Sequence, residues 1–252
     1  MTRLVVCIFG CVTIPKYADQ IRKINTTWGS RQIGDVKILF FLGEEPSNEF
    51  IGDQYIYLPG VNNDHLSASY KQFLGLKHTY EEYNPEFVFC CGTDTFVNIP
   101  KLLHLLHNFN SNDKLYIGGH GDTRDIFGQQ IYYHSGGAGF VLSRACLEAF
   151  YPLCDTVMSR WINVLTESDR QYLLPACDVA ISYFLQKCVN DVRVIKANEG
   201  IFLACNYMGL PCHPGQVRID DIVTCHFMTL QDCDNFYRVL QHANFFMNEL
   251  ES

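Results

Sequence analysis

Short apolar runs of strand type recur along this chain with helix-spaced stretches between them, and that alternation constrains the fold more than any other feature. Leu4–Phe9, Val36–Leu42 and residues 87–91 each read as a buried strand, and Gly43 stops the second. Residues 53–58 alternate as a further strand, and Leu115–Gly118 is another. Residues 17–28 place Ala18, Ile21, Ile24 and Trp28 at helical spacing. Ser67–Tyr83 does the same with Tyr70, Phe73, Leu74 and Lys77, until Asn84-Pro85, where the residue before proline is pushed out of the helical region. Residues 100–109 form a Leu-rich helix with Pro100 at its start. Strands alternating with helices predict an α/β chain built on a doubly wound, mostly parallel sheet with helices on both faces.

The second half reads differently. Residues 131–134 and 139–142 are short β segments around Gly136-Gly137, which predicts a hairpin or bulged strand. Residues 146–154, 178–188 and 234–249 read as helices. No repeat, low-complexity tract or linker interrupts the 252 residues, so the expectation is a single domain with two halves, 1–118 and 119–252.

Composition removes several functions. A net charge of -8 and the lack of a basic run argue against nucleic acid as the partner. No apolar stretch approaches the roughly 20 residues that span a bilayer. The run Leu4–Phe9 is too short for a secretory core, so neither a signal peptide nor an anchor is expected. The 12 cysteines include Cys7, Cys90, Cys91, Cys146 and Cys188 inside apolar patterns, and no Cys-x-x-Cys pair occurs. Reduced thiols in a cytoplasmic protein are the expectation. No G-x-S-x-G elbow and no P-loop is present.

Four segments carry candidate chemistry. Gly92-Thr93-Asp94 ends an apolar strand, and ligands in open α/β sheets sit outside the carboxyl ends of strands. Asp94 there either holds a divalent cation, which in turn holds a diphosphate, or caps the helix starting near Ile99-Pro100. His134-Ser135-Gly136-Gly137 either lets the backbone approach a ligand closely or makes a turn without one. Asp178, opening an apolar helix, is either a first-turn acid favoured by the macrodipole or a general base aimed into the cleft. His226 is either a half-buried histidine near a strand end or an imidazole ligand for the cation of Asp94. Mixed oxygen and nitrogen donors suit Mn²⁺ better than Mg²⁺. The remaining histidines, His65, His78, His104, His107, His120, His213 and His242, show no ligand spacing and read as surface or structural.

Taken together and in order, these segments resemble the Fringe-like and β-1,3-glycosyltransferase group, which includes core 1 galactosyltransferase. The resemblance runs from about Ile21 to His226. Residues 21–29 look like the group's Arg-to-Thr-Trp segment, Phe41-Leu42-Gly43 like the strand after it, and residues 70–77 like its lysine-bearing helix. Gly92-Thr93-Asp94-Thr95-Phe96-Val97 falls on the D-D-D-T-F-V metal motif. Residues 134–143 are close to the G-G-A-G-F-V-L-S run, and Cys177-Asp178-Val179 falls on the E-D-V segment.

The resemblance implies a GT-A fold and inverting transfer from a UDP-sugar donor to a hydroxyl of a glycan or glycoprotein acceptor. Asp178 would be the base, Asp94 and the late histidine His226 the metal ligands for Mn²⁺ or another divalent cation. Lys71, Thr93, Gly136 and Gly137 would lie at the donor. Two motif acids are replaced by Gly92 and Thr93, and the Glu before the base by Cys177, which predicts a less negative site with weaker metal affinity. A catalytically inactive binding protein or chaperone is the alternative, and a nucleotide-sugar hydrolase a third reading. Without the group's usual anchor, the expectation is a cytoplasmic enzyme or a trimmed luminal catalytic domain. Acceptor contacts are expected in residues 118–128, with Arg124 and Asp125, and in 156–173, both read as variable loops.

Overall fold

The structure is a computed structural model that describes residues 2–30, 33–43, 46–64, 66–119, 121–197, 201–205 and 221–250, with side chains through 241. His65, His120, His213 and the His242 side chain lie outside the described residues.

Strands β1 (Leu4–Phe9), β2 (Val36–Leu42), β3 (Tyr55–Tyr57), β4 (Phe87–Gly92), β6 (Leu115–Gly118), β9 (Phe140–Ser143) and β10 (Arg193–Lys196) form one sheet in the order β10-β6-β9-β4-β1-β2-β3. Every pairing is parallel except those of β9, which runs antiparallel to β4 and β6. The expected mixed α/β architecture is therefore present.

Period-two alternation sends side chains to both faces. Leu4, Val6 and Ile8 of β1 join Phe87 and Phe89 of β4 on one face. There α1 (Pro15–Thr26), α3 (Ile99–Leu106) and α7 (Leu230–Leu250) contribute Ile21, Ile24, Leu102 and Phe236. Val5, Cys7, Val88 and Cys90 face the other way. They meet α2 (Ser67–Tyr83), α4 (Arg144–Phe150), α5 (Val157–Ser168) and α6 (Cys177–Cys188) through Phe73, Phe150, Trp161 and Phe184.

Helix boundaries follow local chemistry. The Asp64 carboxylate accepts from the Ser67 N–H (2.8 Å) and hydroxyl (2.7 Å), which starts α2. Asn98, not Asp94, caps α3, its Oδ1 accepting from Lys101 N. Helix α4 is capped by Ser143 and stops before Pro152, shorter than 146–154. Helix α7 starts four residues earlier than 234 because Thr229 and Asp232 cap reciprocally, Thr229 N–H to Asp232 Oδ2 and Asp232 N–H to Thr229 Oγ1.

Three expectations are corrected. The segments around Gly136-Gly137 are not partners in a hairpin. Strand β8 (Gln129–His134) pairs with β7 (Gly121–Ile126), whereas β9 enters the central sheet between β4 and β6. The reason is polarity: Phe140, Val141 and Leu142 are fully buried, while Gln129 and Gln130 remain exposed. The described part of residues 118–128 is thus a strand end at Gly118 and a hairpin arm over 121–126, turned by Phe127 (φ 55°) and Gly128 (φ 73°), as a two-residue type I′ connection requires. Residues 156–173 are no loop either, since α5 buries Val157, Met158, Trp161 and Leu165 at helical spacing.

A second, small sheet matters most for the site. Strand β12 (Thr224–Cys225) pairs antiparallel with β5 (Phe96–Val97) and parallel with β11 (Phe202–Leu203). The register Cys225↔Phe96 brings the residue after β12, His226, alongside the loop that carries Asp94, and Met228 N–H donates to the Asp94 carbonyl (3.0 Å).

Candidate active site

The carboxyl ends of β1 and β4 lie side by side, Phe9 in register with Gly92. A cavity of about 320 Å³ opens there, lined among others by Gly10, Tyr17, Asn63, Lys71, Thr93 and Asp94. Its size falls in the range of small-molecule sites. A Cβ at Gly10 would come within 2.9 Å of Thr93 Cγ2, so a glycine is needed to seat Thr93 against β1.

Lys71 stands on α2 and is buried, its Nζ donating to the Gly10 carbonyl (2.7 Å) and Asn63 Oδ1 (2.9 Å). Burial lowers its pKa, partly offset by the Cys11 thiol and Asp64 carboxylate. Two of the three ammonium N–H groups are engaged by the protein, and Lys71 and Asp94 line one cavity. Thr93 also lines it, but its hydroxyl donates inward to Gln20 Oε1 (2.6 Å), leaving only oxygen lone pairs for a ligand.

Asp94 Oδ1 lies 3.4 Å from His226 Nε2. His226 Nδ1 lies 3.3 Å from the Ala204 carbonyl, which can only accept, so Nδ1 carries a proton and the ring is turned with Nε2 towards Asp94. Burial pushes the Asp94 pKa up, yet its hydrogen bond and charge interaction with His226 outweigh this and hold the carboxyl below its ordinary value.

The Gly136–Gly139 turn joins this pair to the third predicted residue. Gly136 N–H donates to Asp178 Oδ2 (2.9 Å), and a Cβ at Gly137 would overlap the His226 ring at Cε1 and Nδ1. Thr95 Oγ1 donates to the Gly137 carbonyl (3.0 Å) and Thr224 Oγ1 to the Ala138 carbonyl (2.6 Å), fixing the turn from both strands beneath it. Gly139 takes φ +80° and closes the turn onto Gly136 O. Asp178 and His226 thus brace against adjacent glycines of one rigid turn.

Asp178 sits in the first turn of α6, where Val179 N–H donates to its Oδ1 (2.9 Å). Burial raises its pKa, and the backbone hydrogen bonds from Gly136 and Val179 only partly counter this. Sequence reading missed what holds it: Ser182 Oγ donates to the Asp178 carbonyl (2.7 Å), Tyr116 OH lies 2.7 Å from Ser182 Oγ, and His134 N–H donates to that phenol (3.1 Å). The available signal was a polar atom inside an apolar pattern at Tyr116 and Ser182, both fully buried. Burial also pushes the neighbouring Cys177 thiol far up, so it stays protonated.

A protein-family model described as Fringe-like matches residues 52–197, more than half of the 252-residue chain. The chain belongs to the Fringe-like family. Among curated proteins, none matches this Fringe-like chain. Solved structures do. A glycosyltransferase involved in glycosylation of the major capsid of PBCV-1 matches with a TM-score of 0.52 at 15% identity, over 93% of this chain and 98% of that one. The galactosyltransferase LgtC, solved with donor and acceptor sugar analogues, matches with a TM-score of 0.50 at 11% identity, over 94% and 95% of the two chains. The glycosyltransferase GlyE of Streptococcus pneumoniae TIGR4 matches with a TM-score of 0.53 at 12% identity, over 98% of this chain and 64% of GlyE. At such identities the likeness is one of fold, and the fold is that of GT-A glycosyltransferases. No described helix is long and apolar enough to cross a membrane.

The donor set fits a divalent cation of the kind this family implies. A carboxylate oxygen and an imidazole nitrogen face one another across 3.4 Å from separate elements, the imidazole oriented by a backbone carbonyl. Among the described residues no group of three His, Cys, Asp or Glu converges as an all-protein cage. Two protein ligands suit a cation completed by substrate phosphates and water.

Proposed function

We propose that this Fringe-like protein is an inverting glycosyltransferase that moves a sugar from a UDP-sugar to a hydroxyl of a glycan or protein. Asp94 and His226 hold Mn²⁺ or a similar cation, Lys71 and Thr93 line the donor cavity, and Asp178 is the general base. The observation that carries this reading is the Gly136-Gly137 turn, which braces a carboxylate of raised pKa on one residue and the imidazole facing Asp94 on the next.

The chemistry asks for those two functions close together. Asp178 accepts the proton of the acceptor hydroxyl as its oxygen forms a bond to the anomeric carbon. The bond from that carbon to the diphosphate oxygen breaks on the opposite face, and the electron pair leaves with UDP. Two backbone N–H groups orient the Asp178 carboxylate while leaving further lone pairs for the incoming proton. When bound, the cation offsets the negative charge that develops on the leaving diphosphate. Lys71 places a positive side chain along the same cavity.

Release of UDP from a panel of UDP-sugars with Mn²⁺ tests the reading, alongside calorimetric UDP binding. Asp178→Asn is expected to abolish turnover and to keep metal-dependent UDP binding. Parent-like turnover in that variant removes the base assignment. The absence of any metal-dependent UDP binding in the parent favours the inactive binding protein, for which the replacement of two motif acids by Gly92 and Thr93 is the supporting observation.

A further inference from the structure

The chain leaves β12 through His226-Phe227-Met228, and the backbone on either side of Phe227 is pinned. His226 N–H donates to the Leu203 carbonyl on β11 (3.0 Å), and Met228 N–H to the Asp94 carbonyl (3.0 Å). Between these bonds Phe227 takes φ +54°, in the left-handed region, which a bulky aromatic residue enters only against a steric penalty. The other described non-glycine residues of positive φ have local reasons for it. Asn84 and Asp169 end helices α2 and α5, Asp191 is of a residue type that tolerates the region, and Phe127 sits in the β7–β8 turn. Phe227 belongs neither to a helix C-terminus nor to a two-residue hairpin turn.

Burial does not account for the ring. With 59% of its surface exposed, Phe227 gains little from the hydrophobic effect. In extended backbone, successive side chains point to opposite faces, so residue 227 would turn away from residue 226. The left-handed backbone instead brings the ring back onto the side chain before it. The Phe227 and His226 rings stack with centroids 3.7 Å apart and planes inclined by 30°. His226 is thereby held by three neighbours. The Ala204 carbonyl lies 3.3 Å from Nδ1, Gly137 lies so close to Cε1 and Nδ1 that no Cβ fits, and the phenyl ring covers a face of the imidazole. A stacked ring resists rotation of the imidazole about its Cβ–Cγ bond, and Nε2 stays turned to Asp94, 3.4 Å away.

Resting on the reading of Asp94 and His226 as cation ligands, we propose that Phe227 is a positioning residue for the cation site. Its unfavourable backbone lays an aromatic ring on the imidazole, so that Nε2 is preset for a metal before one arrives. Strain of this kind persists where the surrounding structure over-determines it, and the hydrogen bonds of His226 and Met228 supply that constraint. Some stability of the fold is given up for a preformed ligand.

Two variants separate the ring from the backbone. Phe227→Gly removes the ring and releases the strain, since glycine enters the left-handed region freely, whereas Phe227→Ala removes the ring and keeps the strain. Urea denaturation in EDTA is expected to show Phe227→Gly at least as stable as the parent and more stable than Phe227→Ala. Calorimetric UDP binding across a Mn²⁺ series is expected to need about tenfold more Mn²⁺ for half-saturation in both variants, a loss typical when the support of a ligand is removed. Phe227→Tyr, which restores a ring, is expected to keep the parent's Mn²⁺ dependence. Half-saturation at the parent's Mn²⁺ concentration in the glycine and alanine variants overturns the proposal and leaves Asp94 and His226 standing as ligands. A Phe227→Gly protein less stable than the parent assigns the ring to folding and overturns it too. UDP binding by the parent that is absent or independent of Mn²⁺ removes the cation reading and this proposal together.

Discussion

Gly137 and His226 are in contact so close that no side chain fits between them: a Cβ on Gly137 would occupy the space of the imidazole Cε1 and Nδ1. The glycine is therefore a packing partner of the histidine, and its neighbour Gly136 is a hydrogen-bond donor to Asp178. A two-residue turn couples the two halves of the proposed chemistry.

Gly137→Ala is expected to displace the His226 ring and weaken metal-dependent UDP binding about tenfold or more, since misplacing one ligand or its support lowers metal affinity by roughly 10–100-fold. Gly136→Ala meets only ordinary to tight contact, its Cβ 3.3 Å from Asp178 Cβ, and should act on kcat more than on UDP binding. Isothermal titration with UDP and Mn²⁺, paired with initial rates, distinguishes the two. Equal UDP affinity in Gly137→Ala and parent contradicts the coupling.

Protonated Asp178 cannot take a proton from the acceptor, so turnover falls as pH drops through its pKa. Burial raises that pKa, which places the acid limb of the kcat profile above the ordinary aspartate value of about 3.9. A pH–rate profile in saturating Mn²⁺ checks this. An acid limb at or below the ordinary value argues against Asp178 as the base.

His134 offers a stability prediction separate from catalysis. Its ring is fully buried between Tyr116 and Tyr132, neither ring nitrogen makes a well-formed hydrogen bond among the described residues, and burial pushes its pKa down to about 4 against a weaker opposing interaction with the Tyr116 backbone. Below pH 6.5 the unfolded state takes up a proton that the native state refuses until pH approaches about 4. Stability is thus unaffected above pH 6.5 and declines as pH falls from there, levelling off below about 4. At about 1.4 kcal/mol per pKa unit the full penalty is on the order of 3 kcal/mol. Urea denaturation of His134→Leu should show a shallower acid decline over that window than the parent, and parallel curves would refute the assignment.

Tyr116 and Ser182 hold the Asp178 backbone without touching a substrate. Tyr116→Phe removes the acceptor for the His134 N–H and the partner of Ser182, which is expected to lower stability by about 1–2 kcal/mol. The same change should reduce kcat with the acid limb of the pH profile shifted and UDP affinity kept. Denaturation and pH–rate measurements on Tyr116→Phe and Ser182→Ala check it. A loss of stability with a parent pH profile assigns the pair to folding alone.

Much of the framework was legible from local pattern. Strand β1 and helix α2 lie where apolar runs and helical spacing put them, because burial on both sheet faces demands continuous apolar runs and α2 has a proline-bounded end. The small strands β5, β11 and β12, two residues each, carry no pattern long enough to read, so the sheet that delivers His226 to Asp94 was invisible. Helix α5 had its signal in Val157, Met158, Trp161 and Leu165, but polar residues between them disguised it as a loop. The 131–134 and 139–142 segments were joined as one hairpin because both flank glycines, and only the competition for the core separated them.

The amino-acid sequence alone determined which residue types were available: an acid after an apolar strand, an acid opening a helix, a late histidine and a pair of glycines. It also determined the α/β architecture, through periodicities set by strand and helix geometry. Tertiary structure decided what those residues are to each other. Asp94 and His226 are 132 positions apart in the sequence, 226 minus 94, and meet at 3.4 Å only through the β5–β12 pairing. Gly136 and Gly137 acquire their meaning from side chains on α6 and after β12, which approach because the sheet and its helices exclude water between them. Such contacts depend on how elements pack at long range, and no local pattern encodes them.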